Sequence, residues 1–138
     1  MTSEPTIFDK IIAKEIPAEI VYEDEHVLAF LDIAPSNPGH TLVIPKEATR
    51  NILTITEESW AHVMEAVRIL APVIKGVTGA GGINLMMNNE PVAGQVVMHA
   101  HVHIIPRQEG DGIEVWKGGS YAEGEAALLG DKIRKALG

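Results

Sequence analysis

The sequence predicts an α+β fold: a five-stranded antiparallel sheet with one long helix and short helices toward both ends. Three observations lead there. Five short runs rich in strand-forming residues are bounded by turn formers. One longer stretch spaces its apolar residues as a helix does. The order is a helix, three strands, the long helix, two strands and a last helix, not the strand–helix alternation that builds parallel sheets.

Phe8 to Ala13 reads as a short helix capped by Thr6, with Pro17 ending it. Ile20–Glu23 and Val27–Leu31 are strand-like, and the polar segment Glu23–His26 between them reads as a hairpin turn. Pro35-Ser-Asn-Pro-Gly39 is a loop, and His40–Pro45 the third strand. Trp60, Val63, Met64, Val67, Leu70, Ala71, Ile74 and Val77 follow helical spacing, so Trp60 is assigned to the core or an interface. Thr56 with Glu57 and Glu58 suits the start of that helix, because acids favour its N-terminal turn. Pro72 predicts a kink, and Gly79–Gly82 a stop. Ile83–Met87 and His99–Ile105 are the fourth and fifth strands. Ser120-Tyr-Ala-Glu123 fits a capping box opening a last helix through Leu128, Leu129, Ile133 and Leu137.

The chain has 138 residues, enough for one domain spanning 1–138 with its own core. It contains no cysteine, which excludes disulfides, thiolate zinc sites and cysteine nucleophiles and fits a reducing, cytoplasmic setting. No apolar run approaches a membrane span, and no secretory leader is expected from the first residues. With a formal net charge of -8, the chain is a poor general binder of nucleic acid. Any phosphate must be held by local donors against the overall field.

The informative segment is Gly94-Gln-Val-Val-Met-His99-Ala-His101-Val-His103-Ile-Ile-Pro-Arg107. Successive strand side chains point to opposite faces, so His99, His101 and His103 are expected on one face and Ala100, Val102 and Ile104 on the other. A polar strand face is one reading of this register. A metal site is another, since imidazole suits zinc, copper or iron, although no Asp, Glu or Cys lies within the segment. Nucleophilic catalysis is the third. A neutral imidazole attacks well near pH 7 if its other nitrogen keeps a proton on an acceptor, and a neighbouring histidine can donate to phosphoryl oxygens.

His99-Ala-His101-Val-His103-Ile-Ile is similar to the signature of the histidine triad (HIT) family, His-φ-His-φ-His-φ-φ with φ apolar. Phe30 to Lys46 resembles that family's ribose-binding and strand segment, Asn88 to Gln95 its loop before the triad, and Phe8 to Pro17 its N-terminal helix. The resemblance implies a HIT-like fold and a metal-free hydrolase that cleaves a nucleoside monophosphate, AMP above all, from an amine, phosphate or acyl group. It implies a nucleotidyl intermediate on His101, donation to phosphate by His103, support of the nucleophile by the backbone carbonyl of His99, and His40 completing the cluster. Asp32 would accept from the ribose hydroxyls, with Ile33 beside it. Asn88 and Gln95 would donate to phosphate or leaving group, Gly94 would allow close backbone approach, and Val96 would offer a backbone N–H. Ile7, Phe8, Ile11, Phe30 and Leu42 either wall the base or are plain core. His26 and His62 are expected to be solvated and without a catalytic role.

Two departures from the family pattern stand out. Thr6-Ile-Phe-Asp9 lies where some bacterial members have Cys-x-x-Cys, so their structural zinc is expected to be missing. Val96 replaces the serine usual in the Hint-like phosphoramidase branch. Phe-Leu-Asp32-Ile leans to that branch, while Ile-Ile-Pro-Arg107 resembles the Fhit-like branch, which cleaves dinucleoside polyphosphates and would bring Mg2+ with the substrate. His103 argues against the uridylyltransferases, which have Gln there. A nucleotide-binding adaptor with little turnover is the rival from another class. The family's usual homodimer, with joined sheets, is expected here.

Overall fold

The computed structural model describes residues 4–138. Its elements in chain order are α1 (Ile7–Ile12), β1 (Ile20–Glu23), β2 (Val27–Leu31), β3 (Thr41–Pro45), α2 (Glu57–Thr78), β4 (Gly82–Met86), a 3-10 turn (Pro91–Ala93), β5 (Val102–Arg107) and α3 (Glu125–Leu137). The strands form one antiparallel sheet in the order β1-β2-β3-β5-β4, so the predicted α+β class and strand count hold. Among the described residues no helix is long and apolar enough to cross a membrane.

Period-two alternation sorts the strand side chains onto two faces. Val27, Ala29, Val43, Val102 and Ile104 pack with Val63, Ala66, Val67 and Leu70 of α2, and Trp60 packs against this core. Leu28, Phe30, Leu42 and Ile44 turn the other way, onto Phe8 and Ile11 of α1. Central strands buried on both faces explain why β2 and β3 read as nearly continuous apolar runs. His103 shares the α1 face, because it pairs with Leu42 across β5 and β3.

Several boundaries differ from the sequence reading. The capping box at α1 is made by Thr6 and Asp9, but the helix stops at Ile12, where Lys14 adopts a left-handed φ of 62°; Pro17 lies beyond the end. The long helix is capped by Thr56, runs on through Pro72, and ends on Gly79 at φ 68°. The last helix begins at Glu125, not after Ser120, and its N-cap is Gly124; Glu125 reaches back to accept from the Ala122 N–H.

The difference that matters most is at β5. The ladder with β3 stops at the pair Val43–Val102, leaving His99, Ala100 and His101 outside the strand. Continued by one step and then another, it would set Pro45 opposite Ala100, and Pro45 has no N–H to give. Ala100 instead donates to the Thr49 carbonyl at 2.8 Å, and the Pro45 carbonyl accepts from the His99 ring.

Ile104 is fully buried against α2, whereas Leu137 is 83% exposed. Ile104→Ala is expected to lower unfolding free energy by about 2–5 kcal/mol through transfer and cavity losses. Leu137→Ala should change it by no more than about 0.5 kcal/mol. Urea denaturation of the two variants measures this.

Candidate active site

Four histidines meet on the α1 face, and backbone groups decide which nitrogen of each carries the proton. The Ser36 N–H donates to His40 Nδ1 at 3.0 Å, so that nitrogen is an acceptor and His40 is protonated at Nε2. His40 Nε2 then donates to His103 Nδ1 at 2.9 Å. With Nδ1 accepting, His103 keeps its proton on Nε2, which is left as a donor. His101 Nδ1 lies 2.7 Å from the His99 carbonyl, an acceptor only, so Nδ1 carries the proton and Nε2 is a bare lone pair. His99 Nε2 donates to the Pro45 carbonyl at 2.8 Å. The result is a nucleophilic nitrogen on His101 and an N–H donor on His103, in rings 5.0 Å apart.

Packing holds these rings. His101 meets the Phe8 ring edge-to-face at 5.0 Å, and His99 meets the same ring at 6.1 Å. His40, His99 and His101 are buried, while His103 is half-buried. His99 is 1% exposed and turned toward the end of β3 and α1, so its ring supports the site from within and does not line an opening. Asp9 Oδ1 lies 3.5 Å from His99 Nδ1, where the departure Thr6-Ile-Phe-Asp9 places a carboxylate on the α1 cap. Burial pushes the His101 pKa down, with the His99 carbonyl opposing it. Burial and the neighbouring His101 and His40 push His103 down to about 4. His40 is lowered by burial, against the pull of Asp32. All three are therefore neutral at pH 7, as a nucleophile and a neutral donor must be.

A cleft of 270 Å³ opens beside the cluster, walled by Ile7, Phe8, Ile11, Phe30 and Leu42, of which all but Ile7 are also core, and by Ile16, Pro17, Ala18 and Leu31. Asp32 and Ile33 sit at its edge. Asp32 Oδ1 accepts from the Ala34 N–H at 2.9 Å and Oδ2 lies 3.6 Å from His40 Nε2, leaving acceptor capacity on both oxygens. Ile33 is fully exposed at this edge.

The loop before the triad departs from expectation. Gln95 is 3% exposed, and both ends of its amide are already engaged. Its Nε2 donates to the Arg50 and Val97 carbonyls, and its Oε1 accepts from Asn51 Nδ2 and the Glu90 N–H. With both amide N–H groups engaged in this way, the Gln95 side chain holds the loop and does not point a free donor outward. Asn51, fully buried, and Arg50 complete the brace through Glu90, which Asn51 meets at 2.6 Å. Nothing in the sequence marked Asn51, nor the backbone of Ser36 and Pro45, because their roles exist only in three dimensions. Gly94 has φ 96°, and a Cβ there would meet Asn88 Nδ2 at 3.2 Å, so any other residue would be strained. Asn88 bonds the Gly94 carbonyl at 3.3 Å, and Val96 is 86% exposed beside it. Arg107 is bound to Asp111, Asn84 and the Ile113 carbonyl, four residues past His103 along the strand, and so is not one of the cluster's donors.

Asp32, His40 and His103 each offer a ligand atom within 4.8 Å of the others. An ion there would have to break the His40–His103 hydrogen bond on which the donor tautomer depends.

Known proteins resemble this chain in sequence and in fold. A family model described as HIT domain matches residues 13–110. An uncharacterised HIT-like protein of Methanocaldococcus jannaschii is 52% identical, over 77% of this chain and 81% of its own. Adenylylsulfatase HINT1 of Arabidopsis thaliana is 43% identical, over 75% of this chain and 72% of its own. A crystal structure from Streptococcus mutans superposes with a TM-score of 0.93 at 40% identity, covering 99% of this chain and 88% of that one.

The depressed histidines make stability depend on pH. A histidine whose folded pKa lies below the unfolded value near 6.5 leaves the unfolded state holding more protons between the two. For His103 that window runs from about 6.5 down to about 4, and stability falls as pH falls through it. Ring-proton NMR should find His101 and His103 half-titrated below pH 6.5, and His103→Gln should lose less stability than the parent between pH 7 and 5. Midpoints at or above 6.5 contradict the lowering by burial.

Proposed function

The chain belongs to the HIT domain family, and from that premise we propose that it hydrolyses the bond between a nucleoside monophosphate and its leaving group through an intermediate on His101. The observation that carries this reading is the bare His101 Nε2, held by the 2.7 Å bond from Nδ1–H to the His99 carbonyl. Its lone pair attacks phosphorus, a P–N bond forms, and the bond to the leaving group breaks. The leaving group departs with the electron pair and takes a proton from water. The phosphorylated ring is cationic, and the His99 carbonyl stabilises that charge through Nδ1–H. Water then attacks phosphorus and gives up a proton that replaces the one taken from solvent by the leaving group, the P–N bond breaks, and its electron pair returns to His101. Two modest displacements replace one difficult one. His103 Nε2–H donates to the phosphoryl oxygens as their charge grows.

The cleft beside the cluster supports a flat, apolar base, as in adenosine, with the ribose diol on Asp32. Arg107, the residue that resembled the polyphosphate-cleaving branch, is engaged by Asp111. This favours single-nucleotide substrates with a small leaving group. The relative named an adenylylsulfatase makes adenylyl sulfate a reasonable candidate beside adenylyl phosphoramidates. A homodimer joined at the free β4 edge also belongs to this reading. Leu85 on that strand is exposed, and Ile69, Val73 and Val77 form an exposed apolar ridge on α2.

His101→Ala is expected to lower kcat at least about a thousandfold while leaving AMP binding nearly intact, the range for loss of a nucleophile that acts in concert with its neighbours. Assaying adenosine phosphoramidate, adenylyl sulfate and diadenosine polyphosphate in EDTA and in Mg2+ tests the chemistry and the preferred leaving group. Wild-type turnover that requires metal, or survives in His101→Ala, rejects the mechanism. For the dimer, light scattering should report twice the chain mass, and Val73→Glu should shift it toward one chain. An unchanged mass in that variant places the interface elsewhere.

A further inference from the structure

His26 and His62 lie 36 positions apart in sequence and on different elements, yet their rings stack at 3.8 Å with an interplanar angle of 10°. The turn between β1 and β2 is held by Asp24, whose Oδ1 accepts from the His26 and Val27 N–H groups at 2.7 and 2.8 Å. Tyr22 donates to the other oxygen of Asp24 at 2.7 Å. The backbone of His26 is thus fixed, and its ring is delivered to α2. There Glu58 and His62 stand one turn apart on one helix face, just past the Thr56 cap. One ligand atom from each of His26, Glu58 and His62 lies within 4.8 Å of the other two. The carboxylates of Glu58 and Glu25 each approach an imidazole Nε2 to 3.9 Å.

We propose that His26, Glu58 and His62 form a binding site for a divalent transition-metal ion, zinc in the first instance, that ties the β1–β2 turn to α2. Two imidazoles and a carboxylate are a donor set that zinc accepts, with water or Glu25 in the fourth position of a tetrahedron. Imidazole selects zinc, copper or nickel over magnesium and calcium. Ligand atoms in a tetrahedral zinc site stand about 3.3 Å apart, given metal–ligand bonds near 2.0–2.1 Å. Closing the three donors to that spacing takes rotation of the two rings out of their stack, so that their lone pairs converge on one point. The His26 and His62 side chains are 41% and 39% exposed and Glu58 is 79% exposed, so each keeps a solvent-facing side into which it can turn. The two carboxylates and the net charge of -8 draw a cation toward the surface. None of these side chains belongs to the four-histidine cluster, so the site stands independently of the hydrolytic reading.

The test is a zinc titration of chelator-treated protein, followed by histidine ring NMR and by thermal unfolding. In the wild type the first equivalent should move the His26 and His62 signals and raise the unfolding midpoint, as binding to the folded state requires. Magnesium should do neither. His62→Ala and Glu58→Gln should each weaken the zinc response at this site at least about tenfold, the least that disturbing even an outer-shell group costs known sites. Their His40, His99, His101 and His103 signals should stay unmoved before zinc is added, which shows that the fold is intact. If zinc moves only the His40 and His103 signals, or binds both variants as tightly as the wild type, the proposal fails.

Discussion

The proposed chemistry depends on three backbone groups that each accept or donate in one direction only. A carbonyl cannot donate and an amide N–H cannot accept, so the His99 carbonyl, the Pro45 carbonyl and the Ser36 N–H leave each imidazole one tautomer. The choice made at Ser36 passes through His40 to His103, two rings away. Imidazole alone has no preference strong enough to guarantee a bare Nε2 on His101 and an Nε2–H on His103. Rigid backbone supplies it, and because His40, His99 and His101 are buried, water offers those rings few competing partners.

The sheet makes this arrangement possible by separating two tasks. One face is closed by α2 over Val27, Ala29, Val43, Val102 and Ile104, and supplies most of the core. The other is only partly covered by the six-residue α1, which leaves the cleft. Phe8 serves both, since its ring touches Phe30 in the core and His101 at the site. The end of the β3–β5 ladder is part of the same design. Where Pro45 stops offering an N–H, the chain carrying His99 and His101 leaves regular pairing, and carbonyls otherwise bound in a ladder become free to hold imidazoles.

For the proposed reaction, an acidic protein needs its phosphate donors held close and rigid. The loop Asn88–Gln95 is braced from beneath by Gln95, Asn51 and Glu90, with Arg50 paired to Glu90 on the surface. Among the described residues no buried side-chain nitrogen or oxygen lacks a hydrogen-bond partner. A brace satisfied in this way resists rearrangement, because any movement would strand a buried amide.

The sequence by itself determined the strand count, the antiparallel class, the helix caps at Thr6 and Thr56, and the placing of His101 and His103 on the face opposite Val102 and Ile104. These follow from periodicity and capping, which are local and therefore readable along the chain. The walls of the cleft were half visible, since Phe8, Ile11, Phe30 and Leu42 are apolar whether they serve core or ligand. Tertiary structure alone decided which histidine nitrogens carry protons, because the deciding groups at Ser36, Pro45 and His99 are main-chain atoms that every residue type possesses. It also decided that Gln95 turns inward to Asn51, and that His26 meets His62 across the gap between a turn and a helix. Contacts between residues distant in sequence depend on how the elements pack, and no local pattern encodes that.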